Sequence, residues 1–305
     1  MSFHYPVMVQ QVLDNLITKK EGIYVDCTIG GGGHSLKIIE KIYPDGFLVG
    51  IDQDIEALEF AREKLEHYEN RIVLVKSNFS DLEIILQSFG LNKITGIFFD
   101  LGISSHQIDV PSRGFSFNKD DLLDMRMDLS SKLNALHIVN NYSEKQLVEI
   151  FSDFGEERFS RSLARLIVEE RKKNKIETTG QLAGIIVNFY ARNKKGKWRI
   201  HPATKIFQAI RIEVNRELTV LQIALQQSIK VLEIGGRIGV LSYHSLEDRI
   251  VKNTFREWEN KEKINHYGYG LKRLFKKPIY PPEEEIRQNP RSRSVKLRFA
   301  EKISL

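Results

Sequence analysis

The sequence of 305 residues contains one cysteine, Cys27, and neither a CxxC nor an HExxH pattern. A single thiol cannot form an internal disulfide, so a disulfide-stabilised fold and the common zinc sites are excluded, and we expect no metal site. No apolar run approaches the ~18 residues that span a bilayer, and the first residues lack a signal-peptide pattern. We therefore expect a soluble protein of the reducing cytoplasm, without a membrane partner.

The composition is that of a folded protein. Hydrophobic residues make up 41% of the chain and charged residues 28%, with 20 glycines and 8 prolines. This balance excludes disordered and collagen-like classes. Because a typical domain has roughly 150 residues, the length favours two structural units.

The charge is distributed unevenly along the chain. Residues 1–100 carry nine basic and fifteen acidic side chains, whereas the whole chain has a net charge of +6. Basic residues concentrate at 192–199, with five and no acid, and at 271–305, with ten against four glutamates. Such segregation favours a polyanionic partner such as nucleic acid, because neutralising phosphates releases counterions. The alternative is a solvated basic face.

The first hundred residues alternate between predicted strands and helices. Apolar runs predict strands at 24–28, 47–52, 71–76 and 96–100, with helices between them. Four such units are typical of a doubly wound parallel α/β sheet with right-handed crossovers.

The pattern becomes helical after Gly102, and strands are predicted again at 237–243 and 294–301. We therefore predict a discontinuous domain of residues 1–112 and 201–305, interrupted by an inserted helical substrate-recognition domain of residues 113–200. One helix is expected over 203–232. An irregular loop is expected over 272–293.

A glycine loop and an acidic residue form a candidate cofactor site. Residues 30–33 are all glycine, between the first strand and its helix, where a ligand can approach backbone N–H groups. Asp52 ends the second strand, where its carboxylate can accept hydrogen bonds from the ribose hydroxyls of an adenosine cofactor. The dinucleotide pattern G-x-G-x-x-G would need glycine at Ser35, so the spacing favours S-adenosylmethionine (SAM) over NAD(P).

Two further residues follow predicted strands at the same edge of the sheet. Phe79 follows the third strand, where an aromatic ring can pack on adenine; the alternative is a core phenylalanine. Asp100 ends the fourth strand, where a carboxylate can pair with the ammonium group of the methionine part of SAM. A helix-capping role is the alternative for Asp100.

Taken together, these motifs resemble those of the bacterial RsmH (MraW) family of 16S ribosomal RNA cytosine-N4 methyltransferases, over nearly the whole chain. The segments that carry the resemblance are residues 4–8 (HYPVM), 26–34 (DCTIGGGGH), 100–105 (DLGISS), 113–117 (RGFSF), 123–127 (LDMRM), 155–157 (GEE), 207–212 (FQAIRI), 242–249 (SYHSLEDR) and 289–294 (NPRSRS). Tyr243 stands where the family usually has phenylalanine, and Val295 where it usually has alanine. We expect neither departure to alter the chemistry.

The resemblance implies a Rossmann-like SAM methyltransferase sheet, methyl transfer to a cytidine N4 amine, and small-subunit ribosomal RNA in an assembled or late-assembling subunit as partner. The residues that it assigns to SAM are Gly32, Gly33, His34, Asp52, Phe79, Asp100 and Gln107. The residues that we expect to serve catalysis are Asp100, His244, Ser104 and Ser105. For His244 the alternative is a structural role at the end of a strand, with Ser245 capping the next helix.

Two other functions stay open on the sequence. One is an amine methyltransferase acting on protein or DNA. The other is a noncatalytic factor that binds SAM or RNA. An intact glycine loop, Asp52 and Asp100 argue against a degenerate cofactor site.

Overall fold

The computed structural model describes residues 6–110, 112–193, 198 and 200–305, with only the backbone of Ser105 and Asp109. The chain divides into two compact units: Met1–Gly102 with Leu218–Leu305, and Ile103–Glu217. The second unit is thus longer at both ends than the predicted insertion of residues 113–200. No helix in the described residues is long and apolar enough to cross a membrane.

The first unit is built on one seven-stranded sheet in the order β3-β2-β1-β4-β5-β7-β6. Its strands are β1 (Ile23–Asp26), β2 (Phe47–Asp52), β3 (Ile72–Lys76), β4 (Ile94–Asp100), β5 (Leu232–Ser242), β6 (Tyr269–Arg273) and β7 (Lys296–Ser304). The pairs from β3 through β5 are parallel, whereas β7 runs antiparallel to both β5 and β6. The predicted doubly wound, Rossmann-like α/β class is therefore confirmed.

Helices cover both faces of this sheet. The helices of the first unit are α1 (Val9–Leu16), α2 (Gly33–Ile42), α3 (Ile55–Leu65), α4 (Leu82–Ser88), α11 (Glu217–Val231, with only its first residue in the second unit), α12 (Ser245–Trp258), α13 (Lys261–Tyr267) and α14 (Glu283–Gln288). Successive side chains of a strand point to opposite faces. Accordingly, Tyr24 and Phe98 pack in one hydrophobic core, whereas Val25 and Phe99 pack in the other.

The second unit is helical around its own hydrophobic core. Its helices are α5 (Ser105–Asp109), α6 (Ala135–Asn141), α7 (Glu144–Asp153), α8 (Ser160–Lys173), α9 (Thr179–Asn193) and α10 (Thr204–Asn215). Leu147, Phe151, Leu163 and Ile210 are among the fully buried side chains of this core. Ser143 begins α7 with a capping box in which both hydrogen bonds to Gln146 are formed.

The predicted helix over 203–232 was wrong. It is divided into α10 and α11 because Arg216 adopts a left-handed conformation with φ of 52°. Gly235, with φ of 81°, lies near the start of β5. The predicted irregular loop over 272–293 contains the end of β6, helix α14 and part of the 3-10 turn Pro290–Ser294.

Candidate functional site

The carboxyl ends of the parallel strands bring the predicted cofactor residues of the first unit to one edge of the sheet. The glycine loop follows β1, Asp52 ends β2, and Asp100 ends β4. In open α/β sheets this edge is where ligands bind.

The backbone of the glycine loop requires glycine at Gly32. Its φ is 73°, and a Cβ atom there would lie 3.3 Å from the Cα atom of Ala61. Gly30 also has a positive φ, of 50°, but a Cβ atom there would meet nothing closer than 3.9 Å. The loop therefore packs tightly on α3 at Gly32 and leaves open space beside Gly30, as ligand binding to its backbone requires.

Asp52 ties this loop to the end of β2. Its Oδ2 accepts a hydrogen bond from the N–H of Gly30 at 2.9 Å, and its Oδ1 accepts one from the N–H of Asp54 at 2.9 Å. An ionised carboxylate has about four lone-pair sites, so two remain for the hydroxyls of a ribose. Burial raises the pKa of Asp52 to about 6, against the lowering effect of these two N–H donors.

Asp26 also holds the loop, a role that the sequence did not indicate. It is 1% exposed and accepts hydrogen bonds from the hydroxyl of Ser35 at 2.7 Å and the N–H of Thr28 at 3.1 Å. Burial raises the pKa of Asp26. Ser35 occupies the position of the third glycine in a dinucleotide pattern, and its bond to Asp26 explains why a serine serves here.

Asp100 is held by two side chains from different elements. Its Oδ1 accepts a hydrogen bond from the hydroxyl of Tyr243 at 2.9 Å, and its Oδ2 lies 3.3 Å from Nδ1 of His34. The N–H of Asp100 donates to Oγ1 of Thr28 at 2.6 Å. The side chain keeps 24% exposure, so its carboxylate is fixed in direction and still accessible.

His34 faces an acceptor at each ring nitrogen. Nε2 lies 2.8 Å from the carbonyl oxygen of Val7, and Nδ1 faces the carboxylate of Asp100. Burial lowers the pKa of His34, but the hydrogen bond and charge of Asp100 with the Val7 carbonyl outweigh it, so the pKa is raised from 6.5. An acceptor at each ring nitrogen and a raised pKa both favour the imidazolium form of His34, in which both nitrogens donate and the ring pairs with Asp100.

Tyr243 makes a contact that the family's usual phenylalanine cannot make. Its hydroxyl donates a hydrogen bond to Asp100, and the expectation that this departure leaves the chemistry unaltered stays a prediction. Burial, followed by the charge of Asp100, raises the pKa of Tyr243 well above its usual value. The hydroxyl therefore stays protonated and donating.

Phe79 opens a short 3-10 turn after β3. Its ring meets Phe99 edge to face, with centroids 5.6 Å apart, and is partly buried against the core. The ring is thus anchored by the core and remains partly accessible at the strand ends. Its packing on adenine stays a prediction.

The N-cap of α12 is His244, and Ser245 is the first residue of the helix. Nδ1 of His244 accepts from the N–H of Glu247 at 3.5 Å, and the side chain of Glu247 accepts from the N–H groups of Tyr243 and His244. Nε2 of His244 lies 3.1 Å from Oε1 of Glu247 without hydrogen-bond geometry, and among the described residues it has no hydrogen-bond partner. The hydroxyl of Ser242, at the end of β5, is likewise buried and unpartnered there.

Ser104 and Gln107 belong to the second unit, where they form the capping box of α5. The N–H of each residue donates to the side chain of the other, at 3.1 Å in both cases. Gln107 is 5% exposed. The side chain of Ser105 lies outside the described part of the structure, so its role and the SAM contact of Gln107 stay predictions.

Several basic residues near the carboxyl terminus have structural partners. Arg298 and Lys296 both bind Asp248, at 2.6 and 3.1 Å, and Lys302 donates to backbone carbonyls at the end of α11. Arg273 binds Glu259. Fewer of the ten basic residues over 271–305 are thus available to a polyanion than their number suggests. Lys194, Lys195, Lys197 and Arg199 of the other basic segment lie outside the described residues.

This fold and site define a SAM-dependent methyltransferase of Rossmann-like fold. The open space at Gly30, the spare acceptor capacity of Asp52 and the oriented carboxylate of Asp100 suit the three polar parts of SAM. The chain belongs to the MraW methylase family, because the model of that family matches residues 1–303.

Curated relatives are similar to this chain over nearly their full length. The ribosomal RNA small subunit methyltransferase H of Caldicellulosiruptor bescii is 49% identical, with 98% of this chain and 99% of the relative covered. The protein of the same name from Fusobacterium nucleatum is 44% identical, with 99% and 97% covered. Among solved structures, an rRNA methylase from Streptococcus thermophilus is similar with a TM-score of 0.44 at 10% identity, covering 97% of this chain and 94% of that one.

The raised pKa of Asp52 predicts a pH dependence of SAM binding. Ribose hydroxyls at the predicted site would donate to the ionised carboxylate, so protonation of Asp52 is expected to oppose binding. We expect the affinity for SAM to be constant above pH 7 and to fall below about pH 6, by at most about tenfold per pH unit for one proton. Calorimetric titration of SAM between pH 5 and 8 measures this dependence.

The control for this titration is Asp52→Asn, which keeps the shape and cannot titrate. It should bind SAM more weakly at pH 7, by about 1–3 kcal/mol, and should lose the difference from the wild type as the pH falls. Parallel pH profiles of the two proteins would remove Asp52 from the cofactor site.

The bond between Tyr243 and Asp100 predicts a stability loss in Tyr243→Phe. A hydrogen bond to a charged group contributes ~1.5–3 kcal/mol, and water can replace part of it at a partly exposed carboxylate, so we expect a loss of about 1 kcal/mol. Denaturant unfolding measures it. Tyr43→Phe, at an exposed tyrosine whose hydroxyl has no partner among the described residues, is the control. Equal stability of both variants would contradict a structural role for the bond.

Proposed function

We propose that this protein transfers the methyl group of SAM to the exocyclic N4 amine of a cytidine in small-subunit ribosomal RNA. The observation that carries the proposal is the carboxylate of Asp100, fixed by His34 and Tyr243 at the carboxyl end of β4 in a member of the MraW methylase family. The substrate class is supported by the names of the relatives, which are small-subunit ribosomal RNA methyltransferases.

Each cofactor residue has a role that follows from its chemistry. SAM supplies an electrophilic methyl group on a sulfonium. In this proposal the backbone at Gly32 and Gly33 lies beside the cofactor at the start of α2, although the N–H of Gly32 itself donates to the carbonyl of Ile29 at 2.8 Å. Asp52 accepts from the ribose, and Phe79 packs on adenine. Asp100 accepts from the ammonium of the methionine part and so places the reactive end beside β4 and β5.

The nucleophile sets the second requirement. The lone pair of a cytosine amine is delocalised into the ring, so the enzyme must align it with the methyl–sulfonium bond. A flipped or single-stranded base meets this need, and polar side chains read its edge. His244, with Nε2 unpartnered among the described residues, is proposed to hold the amine or accept its proton, and Ser104 and Ser105 to contact the base.

The inserted helical unit is proposed to hold the RNA, in an assembled or late-assembling small subunit in the cytoplasm. Its residues 103–217 include the basic segment 192–199. Arg291 and Arg293, exposed on the 3-10 turn before β7, are proposed as further phosphate contacts from the first unit.

The function is tested by mapping methylation of small-subunit RNA at nucleotide resolution in cells with and without this protein. We expect one cytidine N4 methyl group to disappear from the deleted strain. Purified protein with radiolabelled SAM should restore it on small subunits from that strain, in an RNase-sensitive product. Label in protein or DNA would support the alternative amine methyltransferase, and no transfer to any subunit preparation would support a noncatalytic factor.

The catalytic roles predict different losses in two variants. Asp100→Ala should lose SAM binding and turnover together, because the carboxylate anchors the cofactor. His244→Asn keeps a good N-cap for α12 and removes the imidazole, so it should keep SAM binding and lose turnover by ~10²–10⁴-fold. Single-turnover methylation of saturating small subunits, beside SAM calorimetry, measures both quantities.

The His244→Asn variant distinguishes a catalytic role of His244 from its role as the N-cap of α12. A loss of less than tenfold in this variant would leave His244 with only its observed capping role. Normal SAM binding in folded Asp100→Ala would contradict the assignment of the carboxylate to the cofactor.

The proposed phosphate contacts of the first unit predict a change in salt dependence. Arg291→Ala with Arg293→Ala should weaken RNA binding and flatten its dependence on salt, by ~0.7 for each phosphate that is no longer neutralised. SAM affinity should not change. Binding isotherms at several salt concentrations measure the slope, and a slope equal to that of the wild type would identify these arginines as solvated surface.

A further inference from the structure

A polar cleft lies in the helical unit, built entirely from residues 132–175 of that unit. Its volume is about 460 Å³, within the usual range of ~300–1,000 Å³ for ligand sites. The described residues that line it are Lys132, Asn134, Leu136, His137, Asn140, Asn141, Arg171 and Lys175. Three of these side chains are cationic and none is a carboxylate.

The frame of the cleft is fixed by hydrogen bonds. Asn140 donates to the carbonyls of Leu136 and Ile176 and accepts from the N–H of Ile176, which joins α6 to the segment after α8. Asn134 caps α6 by accepting from the N–H of His137. These hydrogen bonds of Asn140 and Asn134 hold α6 in place as one wall of the cleft.

The cationic side chains of the cleft have few hydrogen-bond or ion-pair partners among the described residues. Arg171 donates through Nη1 to the carbonyl of Val139 at 2.8 Å, which directs the remaining guanidinium N–H groups away from that bond; these have no partner among the described residues. Lys132 is exposed, with no hydrogen bond or ion pair to a described residue. Lys175 lies 3.2 Å from Glu177, but both side chains are more than half exposed, so this pair is weak.

His137 and Asn141 add neutral hydrogen-bonding groups at the same wall. They lie one turn apart on α6, and the side-chain nitrogen of Asn141 is 3.0 Å from Nδ1 of His137. With Nδ1 accepting from Asn141, Nε2 of His137 carries a proton and can donate to a ligand.

We propose that this cleft binds a nucleotide of single-stranded RNA through its backbone phosphate, an inference that rests on the proposed function. The phosphate is held by Lys132, Arg171 and Lys175, since an arginine fork and flexible lysines suit its oxygens. His137 and Asn141 meet the sugar or base edge of the same nucleotide. The cleft thus contributes affinity and register for the RNA substrate and takes no part in methyl transfer.

The test uses the full-length protein and unmodified small-subunit ribosomal RNA transcribed in vitro. Lys132→Ala with Lys175→Ala removes two exposed cations, and the weak pair of Lys175 with Glu177 is the one ion pair of theirs among the described residues. Without these two charges on the phosphate, RNA affinity should fall by about tenfold near physiological salt and the salt slope by about 1.4. In methylation assays the KM for RNA should rise by a similar factor, with kcat and SAM affinity unchanged.

Two matched variants separate the cleft from general charge. Lys145→Ala with Arg165→Ala removes the same charge from exposed positions of the same unit, 87% and 71% exposed, and should leave RNA binding within twofold of the wild type. Lys132→Arg with Lys175→Arg keeps the charge and should restore binding. If the control pair weakens RNA binding as much as the cleft pair, or the cleft pair keeps the wild-type salt slope, the proposal is wrong.

Two further measurements identify the ligand and show whether the cleft proposal or the proposed function has failed. Calorimetry with inorganic phosphate should give only weak binding; tight binding that persists when RNA is bound would overturn the proposal in favour of a small-anion site. If the wild type methylates RNA while the cleft pair binds it normally, the cleft proposal alone fails. If the wild type transfers no methyl group to any RNA, the proposed function fails instead.

Discussion

The ion pair between His34 and Asp100 joins several separate parts of the cofactor site. It links the helix after the glycine loop to the end of β4, and through the carbonyl of Val7 it also fixes the segment before α1. Tyr243 adds the end of β5 to the same carboxylate. A buried charge is costly unless it is paired and hydrogen-bonded, so these strand ends and the terminal segment must be in place together before the pair is satisfied.

This network explains how a loop of four glycines can form a defined binding surface. Glycines alone leave the backbone free. Here Asp52 accepts a hydrogen bond from Gly30 at the start of the loop, and Asp26 accepts one from Ser35 just after its end. Ala61 of α3 packs closely against Gly32. The geometry is therefore prepared before SAM binds, which reduces the entropy that binding must overcome. Burial raises the pKa of both carboxyl groups, so the charges that hold the loop depend on pH.

The sequence predicted the parallel sheet and placed Asp52, Phe79 and Asp100 after its strands, because strand period, glycine spacing and strand-end carboxylates are local signals. It could not predict the break at Arg216, because nothing local requires a left-handed residue between two helical stretches. It could not show the hydrogen bond of Tyr243 to Asp100 either, because the partner of a hydroxyl depends on what the fold brings to it. For the same reason it could not show that Arg298, in the basic carboxyl-terminal segment, is paired with Asp248, 50 positions away.

The protonation state of His34 is the most direct test of this network. Nitrogen-15 NMR of the unliganded protein across pH 5 to 8 reports whether each ring nitrogen carries a proton. The structure predicts a titration midpoint above 6.5, because each nitrogen faces an acceptor, and a midpoint that moves down in Asp100→Asn. A midpoint at or below 6.5 that Asp100→Asn leaves unchanged would contradict the ion pair, because the carboxylate would then not favour the charged ring.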